Sequence, residues 1–141
     1  MEKFLAIDFG LKRIGLAEAD SESMIAFTLQ ALEYKSYEKA LGSLVKKIID
    51  DGYTKVLIGL PLGYENKETQ MSIKIREFSE DLKKEIPENI SISFLNEVLT
   101  SELAKSNLKR SGKKDSIDSE SARIILQEYL DNILLKITDE R

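Results

Sequence analysis

Three acidic side chains, far apart in the chain, stand where a carboxylate could perform chemistry. Asp8 ends the apolar run Phe4–Asp8, and a carboxylate at the end of a buried strand is costly unless it is paired or hydrogen-bonded. Glu97 follows a later strand and projects from its carboxyl end, the edge at which open α/β sheets bind ligands. Asp118 lies in the first turn of the last predicted helix, on the face it shares with Ala122, so we expect it to point toward the sheet.

Taken one at a time, these acids also have ordinary structural explanations. They are a turn aspartate, an exposed loop glutamate and an acid that complements a helix dipole. Gathered at one strand edge, however, three carboxylates repel each other unless a cation neutralises them. Oxygen-only ligands suit Mg²⁺ or Mn²⁺, and two such ions can activate a water and stabilise both oxygens exchanged at a phosphodiester. The trio Asp8, Glu97 and Asp118 is therefore compatible with metal-dependent phosphodiester hydrolysis.

Composition excludes several other kinds of chemistry. The 141 residues include no cysteine and no histidine, so disulfides, thiolate zinc sites and Ser-His-Asp triads are absent. The length favours one domain spanning residues 1–141. No segment approaches the roughly 20 apolar residues of a membrane span. The start of the chain also lacks the apolar core of a signal peptide. We therefore expect a cytoplasmic protein that does not contact membranes.

Positive charge is concentrated in two places, although the net charge is −4. Residues 105–114 contain five basic residues and no acidic one, and Lys113 and Lys114 come just before the helix of Asp118. Lys12 and Arg13 occupy the turn after Asp8. We expect these four side chains to contact a nucleic-acid backbone; a solvated turn and a solvated helix end are the alternatives. The tyrosines do not form a clustered stacking surface, so backbone recognition is expected more than sequence reading.

The elements that must position these residues follow the order βββαβαβαα. The predicted strands are Phe4–Asp8, Ile14–Ala17, Met24–Leu29, Lys55–Leu60 and Ile90–Leu95. The predicted helices are Tyr37–Asp51 with Ser36 as its N-cap, Lys67–Glu85, a short helix from Thr100 to about Gly112, and Ile117–Lys136. The short first connection predicts antiparallel neighbours, and the later crossovers predict parallel ones, which gives a mixed sheet covered by helices.

Four sequence blocks resemble one known family, the YqgF or RuvX-like family. They are residues 5–17 (LAIDFGLKRIGLA), 58–62 (IGLPL), 96–101 (NEVLTS) and 117–130, from Ile-Asp-Ser-Glu-Ser-Ala to Gln-Glu-Tyr-Leu. The blocks come in the family's order and spacing and cover nearly the whole chain. Each is weak alone, whereas four in order are a specific signal.

The resemblance implies a ribonuclease H-like α/β fold, related to the RuvC resolvases. In it, a mixed five-stranded sheet begins with three antiparallel strands and carries helices on both faces. It also implies a divalent-metal nuclease whose acidic triad maps onto Asp8, Glu97 and Asp118. The family's suggested task is trimming the 5′ end of precursor 16S ribosomal RNA. Holliday junction resolution is the alternative; it requires a symmetric dimer, and the sequence leaves the oligomeric state open.

The chain departs from the family pattern at three positions. Asn96 stands where the family usually has Asp, Val98 where it usually has Arg, and Gly63 where Asn is frequent. Losing the Arg removes a fork-shaped partner for phosphate or carboxylate. These departures put details of substrate contact in doubt more than the metal ligands. They also keep a third interpretation open, a binding module for RNA or the transcription machinery that has lost cleavage.

Overall fold

The computed structural model describes residues 1–10, 12–62, 67–96 and 117–139, and within the last range the side chains of residues 119–134. Its strands are β1 (Lys3–Phe9), β2 (Arg13–Asp20), β3 (Phe27–Glu33), β4 (Lys55–Leu60) and β5 (Ser91–Asn96). Its helices are α1 (Tyr37–Asp50), α2 (Gln70–Glu85) and α3 (Ile117–Asp139). The predicted helix from Thr100 lies outside the described residues.

The strands form one mixed sheet in the order β3-β2-β1-β4-β5. β1 pairs antiparallel with β2, which pairs antiparallel with β3, whereas β1, β4 and β5 are parallel. The predicted sheet is confirmed, with its first three strands antiparallel. Strands β1, β3, β4 and β5 therefore all finish at one edge, which we call the carboxyl end of the sheet; the opposite edge is its amino end.

Helices cover both faces of the sheet, as expected. On one face, α1 and α2 pack large side chains such as Leu44, Ile48 and Phe78 against β1 and β4. On the other face, α3 contributes Ala122, Leu126 and Leu130 to a cluster rich in alanine. Both clusters are buried, and burial of apolar side chains is the main favourable term in folding. No helix in the described part of the chain combines the length and the apolar character of a membrane span.

Local capping fixes where two helices begin. The predicted N-cap of α1 is confirmed, since Ser36 Oγ accepts a hydrogen bond of 3.2 Å from the backbone N–H of Lys39. Helix α2 begins three residues later than predicted. Thr69 and Ser72 form a reciprocal capping box there, which satisfies backbone donors that would otherwise be orphaned at the helix start.

Strand β3 departs most from its prediction, because it runs from Phe27 to Glu33 rather than from Met24 to Leu29. Met24 adopts a left-handed backbone with a φ of 55°, which no strand accommodates. Two contacts from Gln127 of α3 hold this turn: its Oε1 accepts from Ala26 N at 2.9 Å, and its Nε2 donates to Met24 O at 3.2 Å. A partner 101 residues away therefore decides the start of this strand.

Candidate active site

Asp8 lies near the carboxyl end of β1, opposite Gly15 of β2, and is partly buried. Side chains alternate along a strand, so Asp8 shares a face with Phe4 and Ala6, both of which belong to the cluster under α3. The turn that follows is tight. A Cβ on Gly10 would lie 2.5 Å from the carbonyl oxygen of Arg13, so this position requires glycine.

Helix α3 is held with its first turn at the same end of the sheet. Ser119 Oγ accepts a 3.3 Å hydrogen bond from the backbone N–H of Leu16, the neighbour of Gly15 in β2. Further along α3, Tyr129 Oη accepts from Lys55 Nζ at 2.8 Å, at the start of β4 and hence at the amino end. The helix therefore runs from the carboxyl end to the amino end, and the backbone of Asp118 lies at the edge where β1 finishes.

The third predicted acid lies outside the described residues. Strand β5 ends at Asn96, and Glu97 is the next residue. The register places Ile7, Ile58 and Phe94 side by side across β1, β4 and β5, so β5 finishes at the same edge as β1. Within the described side chains no three acidic residues converge, and neither Glu97 nor the Asp118 side chain belongs to that set. The convergence of the three carboxylates stays a prediction.

A basic corner lies at the carboxyl end of the sheet, where β2 begins and β3 ends. We define the basic corner as Lys12, Arg13 and Lys35, which border an open hollow of about 700 Å³ together with Glu33 and Tyr34. Tyr34 joins the end of β3 to the segment before β2. The Tyr34 hydroxyl donates to Gly10 O at 2.5 Å, and the Tyr34 N–H donates to Lys12 O at 3.3 Å. Partial burial raises the pKa of Tyr34, so the hydroxyl remains a donor at neutral pH.

The charges of the basic corner are open to a ligand. Among the described residues, Lys12 and Lys35 make no ion pair, and both are exposed. Arg13 contacts Glu33 at 3.3 Å, but both side chains are about half exposed or more, and such pairs contribute little. Alternation along β2 puts Arg13 on the same face as Gly15 and Ala17, the face that carries Asp8.

Lys35 is a residue that sequence reasoning missed. It follows β3, and only the pairing of β2 with β3 brings it beside Lys12. The signal in the sequence was slight: an isolated lysine between two predicted elements. Of the predicted nucleic-acid contacts, Lys12 and Arg13 lie at the carboxyl end of the sheet, and their contact with nucleic acid stays a prediction. Lys113 and Lys114 lie outside the described residues and stay predictions.

The available donors suit a hard divalent cation. The chain has neither imidazole nor thiolate, so protein ligands must be oxygens. Asp8 supplies a partly buried carboxylate at the strand end, and the first turn of α3 brings a second acidic residue to that end. This set fits Mg²⁺ or Mn²⁺ in the chemistry of its donors.

Comparison with known protein families identifies relatives over nearly the whole chain. The sequence profile of the RuvX family, described as "Holliday junction resolvase", matches residues 2–132. A protein of Sulfurihydrogenibium sp. (strain YO3AOP1), named "Putative pre-16S rRNA nuclease", is 40% identical over 138 residues, covering 94% of this chain and 92% of the relative. A protein of the same name from Maridesulfovibrio salexigens is 32% identical over 133 residues, covering 91% and 97%.

A solved structure shares the fold. RuvC of T. thermophilus, in complex with a Holliday junction substrate, superposes with a TM-score of 0.58 over 95% of this chain and 96% of that chain. The sequence identity is 11%, so the likeness concerns the fold alone. It confirms the expected fold, which RuvC shares.

Proposed function

Because this chain belongs to the RuvX family and is a nuclease on that ground, we propose that it trims the 5′ end of precursor 16S ribosomal RNA. In this proposal Asp8, Glu97 and Asp118 hold Mg²⁺ or Mn²⁺. The observation that supports it most is the hydrogen bond from Leu16 N to Ser119 Oγ, because it holds the first turn of α3 beside the end of β1. Maturation of the ribosome would take place in the cytoplasm, with residues 1–141 acting as one domain.

When bound, the cations would lower the pKa of a water and stabilise the charge that develops on the phosphodiester oxygens. The chain's own residues do the remaining work. Asp8, Glu97 and Asp118 supply the carboxylates that would hold the ions at the carboxyl end. The bond between phosphorus and the ribose 3′ oxygen would break, and, since the chain has no histidine, the leaving oxygen would take its proton from solvent water.

The basic corner supports a nucleic-acid partner. Its three cations border one hollow at the carboxyl end of the sheet, the end that also carries Asp8, and none of them is committed to a strong internal ion pair among the described residues. Lys and Arg side chains that neutralise phosphates supply most sequence-independent affinity for nucleic acids. We propose that Lys12, Arg13 and Lys35 bind the backbone on one side of the scissile phosphate. Lys113 and Lys114 are proposed contacts as well.

A panel of substrates tests the function. Purified protein and its Asp8→Asn variant are incubated with a precursor 16S RNA fragment, an unrelated single-stranded RNA and a four-way DNA junction, each with Mn²⁺, Mg²⁺ or a chelator. We expect cleavage of the precursor RNA near the mature 5′ end, only with metal and only by the unmodified protein.

The other outcomes identify the other candidate functions. Symmetric cleavage of the junction, together with a dimer on the junction in sedimentation, would replace the proposal with a DNA resolvase, the activity that the family description names. RNA binding that the chelator does not affect, with no cleavage in either metal, would replace it with a binding module.

A further inference from the structure

Ser119 is buried at the point where α3 meets the sheet. Only 2% of its surface is exposed, and its Oγ accepts from the backbone N–H of Leu16 at 3.3 Å, a contact that joins residues 103 positions apart. A serine inside a helix ordinarily bonds to its own helix or to water. Here the hydroxyl oxygen instead reaches across to a strand of the sheet.

The pairing of β2 with β3 is irregular next to Leu16, the residue that Ser119 contacts. Between the pairs Ile14–Leu32 and Leu16–Leu29, β2 contributes one residue and β3 contributes two, which marks a β-bulge in β3. A bulge disrupts the hydrogen-bond ladder and leaves backbone groups that need other partners. The oxygen of Ser119 meets this need at Leu16.

Small side chains allow the helix to come this close. Ala6 and Ala17 of the sheet and Ala122 of α3 are all buried between the two layers. Close-packed interiors tolerate few changes of volume, so a layer of alanines fixes a short separation between helix and sheet. At that separation a serine hydroxyl can touch the strand backbone.

Ser121 offers an internal comparison two residues further on. It is 1% exposed, and among the described residues its Oγ has no hydrogen-bond partner. The two serines therefore share residue type, helix and degree of burial, and differ in that one bonds to β2.

We infer that Ser119 is a positioning residue, which anchors the first turn of α3 to β2 opposite the bulge of β3 and thereby holds Asp118 at the end of β1 beside Asp8. The inference rests on the proposed function, since it assigns Asp118 a role as metal ligand. Asp118 directly precedes Ser119, so a rotation or shift of this turn moves both residues together. Residues that orient metal ligands affect metal affinity even though they do not touch the ion.

The experiment compares Ser119→Ala with Ser121→Ala in the full chain. Mn²⁺ affinity is measured by the relaxation of water protons, and exchange of the Leu16 amide proton by NMR. In Ser119→Ala we expect the Mn²⁺ dissociation constant to rise about 10- to 100-fold, as for other residues that orient metal ligands. We also expect the Leu16 amide to exchange about fivefold faster, as the loss of one net hydrogen bond implies. Ser121→Ala should leave both quantities within about twofold of the unmodified protein, since no described partner of its hydroxyl is lost.

A double-mutant cycle separates positioning from general destabilisation. If Ser119 acts through Asp118, then adding Ser119→Ala to Asp118→Asn weakens Mn²⁺ binding no further, whereas independent effects would add. Equal Mn²⁺ affinities in Ser119→Ala and Ser121→Ala, or additivity in the cycle, would overturn the inference and leave the proposed function standing. Absence of Mn²⁺ binding by the unmodified protein would overturn the proposed function itself.

Discussion

The two ends of the sheet differ in whether their polar side chains have partners within the protein. Toward the amino end, polar groups find partners within the protein: Tyr53 donates to Glu18, and Lys55 donates to Tyr129. Gln127 makes three hydrogen bonds there with one amide group. At the carboxyl end, the cations of the basic corner stand exposed around a hollow. The named polar groups toward the amino end are satisfied within the fold, whereas Lys12 and Lys35 at the carboxyl end are exposed and make no ion pair among the described residues.

This contrast has an energetic meaning. A buried polar group that is left unpaired lowers the free energy of unfolding, so the hydrogen bonds at the amino end prevent that loss of stability. Exposed cations of one sign contribute little to folding and repel each other weakly. A bound anion would relieve that repulsion. The basic corner is therefore better explained by binding than by stability.

We expect the largest difference in cleavage rate between variants of two partly buried carboxylates on neighbouring strands, Asp8 of β1 and Glu18 of β2. Asp8→Asn should lower the rate of RNA cleavage more than ~100-fold, because removing a metal ligand costs more than disturbing a residue that orients one. Glu18→Gln should keep the rate within a few-fold. Initial rates at saturating Mn²⁺ measure both, and similar losses in the two variants would remove the functional distinction between the ends.

A second variant tests whether the amino end serves stability. Tyr53 is 2% exposed, and Tyr53→Phe leaves the Glu18 carboxylate without its hydroxyl partner. We expect the free energy of unfolding to fall by about 1–3 kcal/mol, with unchanged cleavage at 25 °C. Denaturant titration measures the first quantity. Tyr37→Phe is the control, because the Tyr37 hydroxyl bonds to Asp81 at the surface and its loss should cost less.

The same contact predicts a dependence on alkaline pH. Burial, followed by the hydrogen bond to Glu18, raises the pKa of Tyr53 above its usual value near 10. A raised pKa means that the folded state holds the proton more tightly than the unfolded state. The stabilisation is therefore complete below pH 10 and is lost as the pH rises above it. Tyr53→Phe should lose less stability than the unmodified protein between pH 10 and pH 11; an equal loss in both would refute this role.

The smallest expected effect concerns the basic corner. If Lys12 and Lys35 each contact one phosphate of single-stranded RNA, each substitution by Gln should reduce the slope of log affinity against log salt by about 0.7. Fluorescence anisotropy between low and moderate salt measures the slope. Lys83→Gln, in the last turn of α2 and hence at the amino end, is the matched control. If Lys83→Gln changes the salt slope as much as Lys12→Gln and Lys35→Gln do, the RNA does not bind specifically at the basic corner.

Local sequence signals account for most of the fold. The apolar run ending at Asp8, the N-cap Ser36 and strand Lys55–Leu60 are determined by residues close in sequence, and the structure confirms each of them. The predicted start of β3 was wrong because the turn before this strand is held by Gln127, which lies in α3. No pattern within residues 20–33 reveals that contact.

The candidate site was only partly predictable for the same reason. The position of Asp8 follows from its own strand, whereas the relation of Asp118 to it depends on how α3 crosses the sheet. Lys35 was missed because strand pairing brings it beside Lys12, and Ser119 was missed because its partner depends on the packing of α3 against the sheet. The available signal was a pair of serines, Ser119 and Ser121, close behind Asp118 in a helix that otherwise buries apolar side chains.

Anomalous diffraction from crystals of the protein soaked in Mn²⁺ tests most directly whether the three carboxylates share a cation. We expect an anomalous peak at the carboxyl end of the sheet, from an ion coordinated by carboxylate oxygens of Asp8, Glu97 and Asp118. A structure in which Asp8 and either of the other two carboxyl groups lie too far apart to share a cation would contradict it.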